Sequence, residues 1–156
     1  MALTRMALWR LGAVLCLLLV AGQAHTHDGP GSPPDPAARN GLFVNLTTDD
    51  PFRAWMALHF ALATHRMGHP VTLFLNTTAV RLASLKNPAP KFATAQDTPA
   101  AYLRLLVTEG ASVLVCMPCL GAVGMTAAEL PDGVLPGAPG LTQSAIFAEG
   151  ARVISW

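Results

Sequence analysis

Two cysteines separated by Met117 and Pro118 are the densest piece of potential chemistry in the chain: Cys116-Met-Pro-Cys119, directly after the apolar run Ser112-Val-Leu-Val. Thiols at this spacing can close a small disulfide, clip a soft metal ion, exchange thiol for disulfide, or carry sulfur as a persulfide. Local context narrows the choice. Cys116 ends a strand-like run and Pro118 suits a first helical turn, so the sulfurs are expected at a helix N-terminus. Unpaired amides and the helix dipole there favour thiolate over thiol, which predicts a lowered thiol pKa. No Lys, Arg or His adjoins Cys116 in sequence, so any cationic partner must come from elsewhere.

Metal readings are incomplete. Two thiolates are half a zinc site, and no second CxxC completes it; His65 and His69 are split by Gly68, which reads as a helix end. The Met117 thioether can join Cys116 and Cys119 in a Cu(I) clip. If a signal segment is cleaved after Ala24, the new terminus His25-Thr26-His27 can wrap Cu(II) or Ni(II) in a square plane. No cofactor is expected.

Redox compartment decides how cysteines behave, and the N-terminus bears on it. Arg5 and Arg10 precede an apolar core from Leu11, and the small residues Gly22 and Ala24 follow, so residues 1–24 read as a secretory signal. The apolar run is too short for a permanent membrane span, and Cys16 leaves with it. The composition is bacterial in character, so the periplasm is the expected location. Roughly 130 residues then remain, enough for one domain with a hydrophobic core. With a net charge of +1 and 12% charged residues, nucleic acid is not an expected partner. The sparse charge suggests surface buried against other subunits.

The elements that must position the cysteines alternate. Residues 25–40 are a Pro- and Gly-rich leader, and residues 41–156 read as one domain. Strands are expected at Leu42–Leu46, Val71–Asn76 and 112–116, with a final strand in Ala151–Trp156. Asp50 caps a helix opened by Pro51 and ended by Gly68, with Trp55, Leu58 and Leu62 on its apolar face, flanked by Phe52 and Ala61. A short helix begins near Thr78, and Thr98, Pro99 and Gly110 bound another. Further helices are expected over 120–129 and 140–150. The segment 87–99, with three prolines, is long enough for a flap or an oligomer contact. Such alternation implies an α/β fold, a doubly wound and mainly parallel sheet of about five strands with helices on both faces. Ligands gather at the carboxyl ends of such strands, which places Asn45, Asn76 and Cys116 on one rim.

Other residues have plainer readings. Asp49 and Asp50 fit a cap and dipole role better than an acid pair. Asn45-Leu46-Thr47 and Asn76-Thr77-Thr78 match the glycosylation sequon, yet both sit at strand ends where Asn and Thr commonly serve the backbone. His59 reads as a packed or exposed helix residue.

From Leu42 to Trp156 the sequence resembles the DsrE/DsrF-like family of sulfur-handling proteins, most specifically in "GHPVTLFL" and in the Cys-x-x-Cys followed by Gly124. The resemblance implies a doubly wound fold, trimers or hexamers, and a strand-end cysteine, matched by Cys116, that accepts sulfane sulfur as a persulfide. Cys119 matches a second cysteine of some members. Many members place an arginine where this chain has Val123, and the expected export is a second departure from the cytoplasmic relay members. The resemblance favours sulfur transfer with a donor or acceptor protein as partner. A non-enzymatic module that holds a soft metal or a protein partner on the same rim is the alternative.

Overall fold

The computed structural model describes residues 40–156. The expected signal segment with Cys16, and the leader with His25 and His27, lie outside the described residues. Five strands, β1 (Leu42–Leu46), β2 (Val71–Leu75), β3 (Ser112–Val115), β4 (Leu135–Pro136) and β5 (Arg152–Ser155), form one sheet in the order β4-β3-β2-β1-β5. Every pairing is parallel. Parallel strands buried on both faces need near-continuous apolar runs, which is why Val-Thr-Leu-Phe-Leu and Ser-Val-Leu-Val hold its centre.

Parallel crossovers are right-handed as a rule, so the reversal of direction after β4 sends the chain to both faces of this sheet. Helices α1 (Pro51–Arg66), α2 (Pro99–Thr108) and α3 (Met117–Ala122) connect strands stepping from β1 toward β4. Helix α4 (Pro139–Ile146) returns from β4 to β5 on the other side. The main core lies under the first group, where Val44, Leu46, Leu73, Leu75, Val113 and Val115 meet Leu58, Leu103, Leu106 and Leu120. Each such side chain contributes about 1.5–3 kcal/mol on burial. Phe43 and Leu114, at the alternate strand positions, are buried on the opposite face, where Phe43 meets Phe74 with ring centroids 6.2 Å apart. Gly137 lets the chain enter α4 over this face: a Cβ there would stand 2.6 Å from the Phe74 ring and 3.1 Å from the Val115 carbonyl oxygen.

Several expectations need correction. The buried face of α1 is Ala54, Ala57, Leu58, Ala61 and Leu62, while Phe52 is exposed and Trp55 half-buried. The reason is the segment 87–99, which folds back so that Phe92 meets Trp55 at 5.4 Å and Phe52 at 5.3 Å. Trp55 and Phe92 thereby pack against the edge of the core, as expected of Trp55, while Phe52 stays at the surface. The short helix after β2 is a 3-10 helix, Thr77–Ala83. The helix expected over 120–129 begins earlier, at Met117, and stops at Ala122, with a separate 3-10 turn at Ala127–Glu129. Its early stop is a backbone feature of Gly124, at φ +75°. Strand β4, two residues long and containing a proline, carries no strand signal in the sequence and exists only by pairing with β3.

Candidate functional site

The site grows from the end of β3. The amide of Cys116 donates to the Leu75 carbonyl at 2.9 Å, extending the ladder one step past the strand. Cys116 then turns and serves as N-cap of α3, its Sγ accepting from the Cys119 amide at 3.3 Å. Pro118 occupies the first turn, where its missing N–H costs nothing. Cys116 and Cys119 are joined by a disulfide with their Cα atoms 5.2 Å apart. Both are half-buried, whereas Met117 and Pro118 between them are exposed. Leu120, 1% exposed, pins the helix to the core immediately behind the sulfurs.

Helix α3 ends in a Schellman motif. The Gly124 amide donates to Gly121 at 3.1 Å and the Met125 amide to Leu120 at 2.9 Å. This closure requires Gly124 at φ +75°, a left-handed conformation that side chains resist. Gly124 is therefore a terminator of the cysteine helix, with no chemical group to offer.

The rim beside Cys116 carries two carboxamides and a hydroxyl. Asn76 follows Leu75 on β2, so it stands in register with Cys116, and its own amide donates to the Leu46 carbonyl at 3.0 Å. Its Nδ2 donates to Asn45 Oδ1 at 2.5 Å, and Asn45 Nδ2 donates to Ser155 Oγ at 3.2 Å. The structure thus brings Asn45 and Asn76 together and seats them next to the cysteine strand. Both carboxamide nitrogens hold the rim together, the plainer of the two roles open to the sequons. Gly137, whose amide donates to the Val115 carbonyl at 2.8 Å, flanks Cys116 on the other side. Sequence reasoning missed Ser155 and Gly137, because only strand order brings β5 and β4 to this rim.

The aspartates divide their work. Asp50 Oδ1 accepts from the Arg53 amide at 2.9 Å as the α1 cap, away from the sulfurs. Asp49 instead pairs with Arg81 at 3.3 Å. Partial burial pushes the Asp49 carboxyl up, but the Thr78 hydroxyl, its own backbone amide and Arg81 outweigh that and hold it below its ordinary value. His59 is exposed and stacks on Trp55 at 5.6 Å. His65 Nε2 contacts the Glu109 carbonyl at 2.7 Å and His69 Nδ1 the Asn40 carbonyl at 3.0 Å, so the two histidines serve different loops. Among the described residues no group of three or more His, Cys, Asp or Glu is placed to hold a metal.

The family model described as DsrE/DsrF-like matches residues 41–156, which hold the whole sheet and the CxxC helix. The chain belongs to the DsrE/DsrF-like family. Among solved structures it is similar to the ychN protein from E. coli, at 22% identity and TM-score 0.60, covering 76% of this chain and 99% of that one. It is also similar to MTH1491 from Methanobacterium thermoautotrophicum, a protein of unknown function, at 15% identity and TM-score 0.55, covering 75% of this chain and 99% of that one. At these identities the likeness concerns the fold. No curated protein sequence matches the chain. Within this DsrE/DsrF-like domain, Val123 is the C-cap of α3, so an apolar side chain stands there. No helix among the described residues is long and apolar enough to cross a membrane.

Proposed function

We propose that this DsrE/DsrF-like protein binds or transfers sulfane sulfur as a persulfide on Cys116, with Cys119 as the resolving thiol. The observation that carries the reading is the Cys119 amide aimed at Cys116 Sγ, in a family associated with sulfur relay. A dithiol reductant first opens the disulfide. The Cys116 thiolate takes a sulfur atom from a donor and becomes Cys116–S–S⁻. Once the outer sulfur takes a proton from water to give Cys116–S–SH, attack of the Cys119 thiolate on Cys116 Sγ expels hydrosulfide, HS⁻, and re-forms the disulfide, so two thiols are oxidised as one sulfane sulfur is reduced. Alternatively the outer sulfur passes to an acceptor protein.

Export to the bacterial periplasm is part of this proposal, supported by the residue pattern of positions 1–24. So is self-association. Phe147 just after α4 is 81% exposed, Val153 on the edge strand β5 54% and Leu135 on the opposite edge strand β4 46%, exposed apolar side chains that favour a second copy.

The test is intact mass of the pre-reduced protein after incubation with polysulfide. An added mass of about 32 Da, one sulfur atom, that vanishes in Cys116→Ser and survives in Cys119→Ser supports the carrier. A disulfide with no adduct in any form would falsify it. The second reading, a binding module whose CxxC is a structural staple, rests on the closed disulfide and on the exposed Met117 and Pro118. It predicts lost stability, without sulfur loading, in either cysteine variant.

A further inference from the structure

We propose that Asn76, oriented by Asn45 and Ser155, is a substrate-positioning residue of the Cys116 site that binds the sulfonyl oxygens of a thiosulfonate, R–SO2–S⁻. The inference rests on the sulfur-carrier reading and adds to it the class of donor.

The argument starts from hydrogen-bond inventory. Each carboxamide nitrogen carries two N–H groups. Asn45 Nδ2 spends one on Ser155 Oγ at 3.2 Å, which turns its Oδ1 toward β2; Asn76 Nδ2 spends one there at 2.5 Å. Because Asn45 Oδ1 only accepts, the nearer atom of Asn76 must be its nitrogen. In this arrangement the Asn76 carboxamide turns its nitrogen toward Asn45. Its second N–H has no partner among the described residues and is held, half-buried, on the rim. Asn76 is in register with Cys116 across the β2–β3 pair, one strand step of about 4.8 Å away. In a thiosulfonate the oxygens sit two bonds from the terminal sulfur, so a donor attacked by Cys116 presents them toward the neighbouring strand end.

Charge selects among oxygen-bearing donors. The rim offers neutral donors, Arg81 is engaged by Asp49, and Val123 supplies no cation. A monoanion with two sulfonyl oxygens suits such a site better than a dianion, whose second charge would go uncompensated. The step balances. With the disulfide opened by a dithiol, the Cys116 thiolate bonds the terminal sulfur. The bond from that sulfur to the sulfonyl sulfur breaks, its electron pair leaves with the sulfinate R–SO2⁻, and Cys116–S–S⁻ remains. No proton is needed, and hydrogen bonds from Asn76 to the oxygens strengthen as the sulfinate forms.

The experiment compares two donors on the pre-reduced, processed chain: benzenethiosulfonate, which has sulfonyl oxygens, and inorganic polysulfide, which has none. Asn76→Ala is expected to slow one-sulfur loading from benzenethiosulfonate about tenfold and to leave polysulfide loading within about twofold. Asn45→Ala, which frees the Asn76 amide, should raise the half-saturating benzenethiosulfonate concentration with the rate at saturation retained. Polysulfide loading also reports that the variant is folded. If Asn76→Ala is unfolded by circular dichroism, Asn76→Asp takes its place, with the same donor-selective loss expected. Equal slowing with both donors in a folded variant, or no slowing with either, overturns the assignment of Asn76 while leaving Cys116 loading intact. Failure of the unsubstituted protein to load from either donor overturns the carrier reading itself.

Discussion

The Cys119 amide lies 3.3 Å from Cys116 Sγ, inside the same four-residue loop that the disulfide closes. One backbone donor is therefore already aimed at the sulfur that becomes an anion when the bond is reduced. The asymmetry distinguishes the two cysteines: Cys116 is the N-cap that receives the hydrogen bond, and Cys119 sits within the first turn that supplies it.

From that asymmetry comes a prediction about sulfide release. Cys119→Ser should accumulate the Cys116 persulfide and release sulfide slowly, since no second thiol attacks Sγ. The unsubstituted protein should release about one sulfide per disulfide re-formed, read by a sulfide assay beside intact mass. Equal release by both proteins would remove Cys119 from the resolving role.

Helix α3 is held from behind and from its end. Leu120→Ala, at 1% exposure, should cost about 2–5 kcal/mol in urea unfolding. Gly124→Ala, forced to keep φ near +75°, should cost about 1 kcal/mol. It should leave sulfur loading at Cys116 unchanged, because the glycine closes the helix at the end remote from the sulfurs. Loss of loading in a stably folded Gly124→Ala protein would mean that the glycine has a chemical role.

Gly137 makes a different demand. An added methyl meets the Phe74 ring and the Val115 carbonyl, so Gly137→Ala should destabilise by about 1–3 kcal/mol through displacement of the entry to α4. Gly140→Ala, where a Cβ meets nothing within 4 Å, is the control and should be nearly neutral. Similar midpoints for the two variants would contradict the packing described here.

Acid should expose two carboxylates. Glu109 is held below its ordinary value of 4.5 chiefly by the hydrogen bond from Arg66, and Asp49 below 3.8 by the balance described above. A depressed folded-state pKa contributes stability that is complete above the unfolded value and lost as pH falls through the folded one. Asp49→Asn combined with Glu109→Gln should therefore lower the melting temperature at neutral pH, with the difference from the unsubstituted protein closing below pH 3.8. Both ion pairs lie at the surface with their arginines about half exposed, so the effect should be small and should shrink with added salt. A difference that persists unchanged into acid would assign the effect to packing.

The elements bounded by punctuating residues were readable in advance. Asp50-Pro51 and Thr98-Pro99 start helices with side-chain caps, and Gly68 and Gly110 adopt positive φ just beyond the helix ends. The turn at Cys116 was likewise legible, because an apolar run broken by Cys-Met-Pro-Cys has few local alternatives. The helix after it was read too long, since Gly124 lies inside an otherwise helical pattern and its left-handed conformation is stabilised by carbonyls of the preceding turn. The α1 face is legible from its period: Leu58, Ala61 and Leu62 are buried and Trp55 packs against the core, while the cover that Phe92 gives Trp55 comes from a segment some forty positions away that periodicity does not see.

What the sequence alone determined is local: where strands and helices begin, that the cysteines lie between one of each, and that no cation adjoins them along the chain. Those properties follow from caps, glycines, periodicity and composition, all encoded within a few residues. Strand order was decided only by tertiary structure. Placing β1 between β2 and β5 joins Asn45 to both Asn76 and Ser155, and placing β3 between β2 and β4 sets Cys116 between Asn76 and Gly137. No local signal specifies these neighbours, because parallel strands are interchangeable in sequence pattern and their pairing is selected by how the whole set of apolar faces packs.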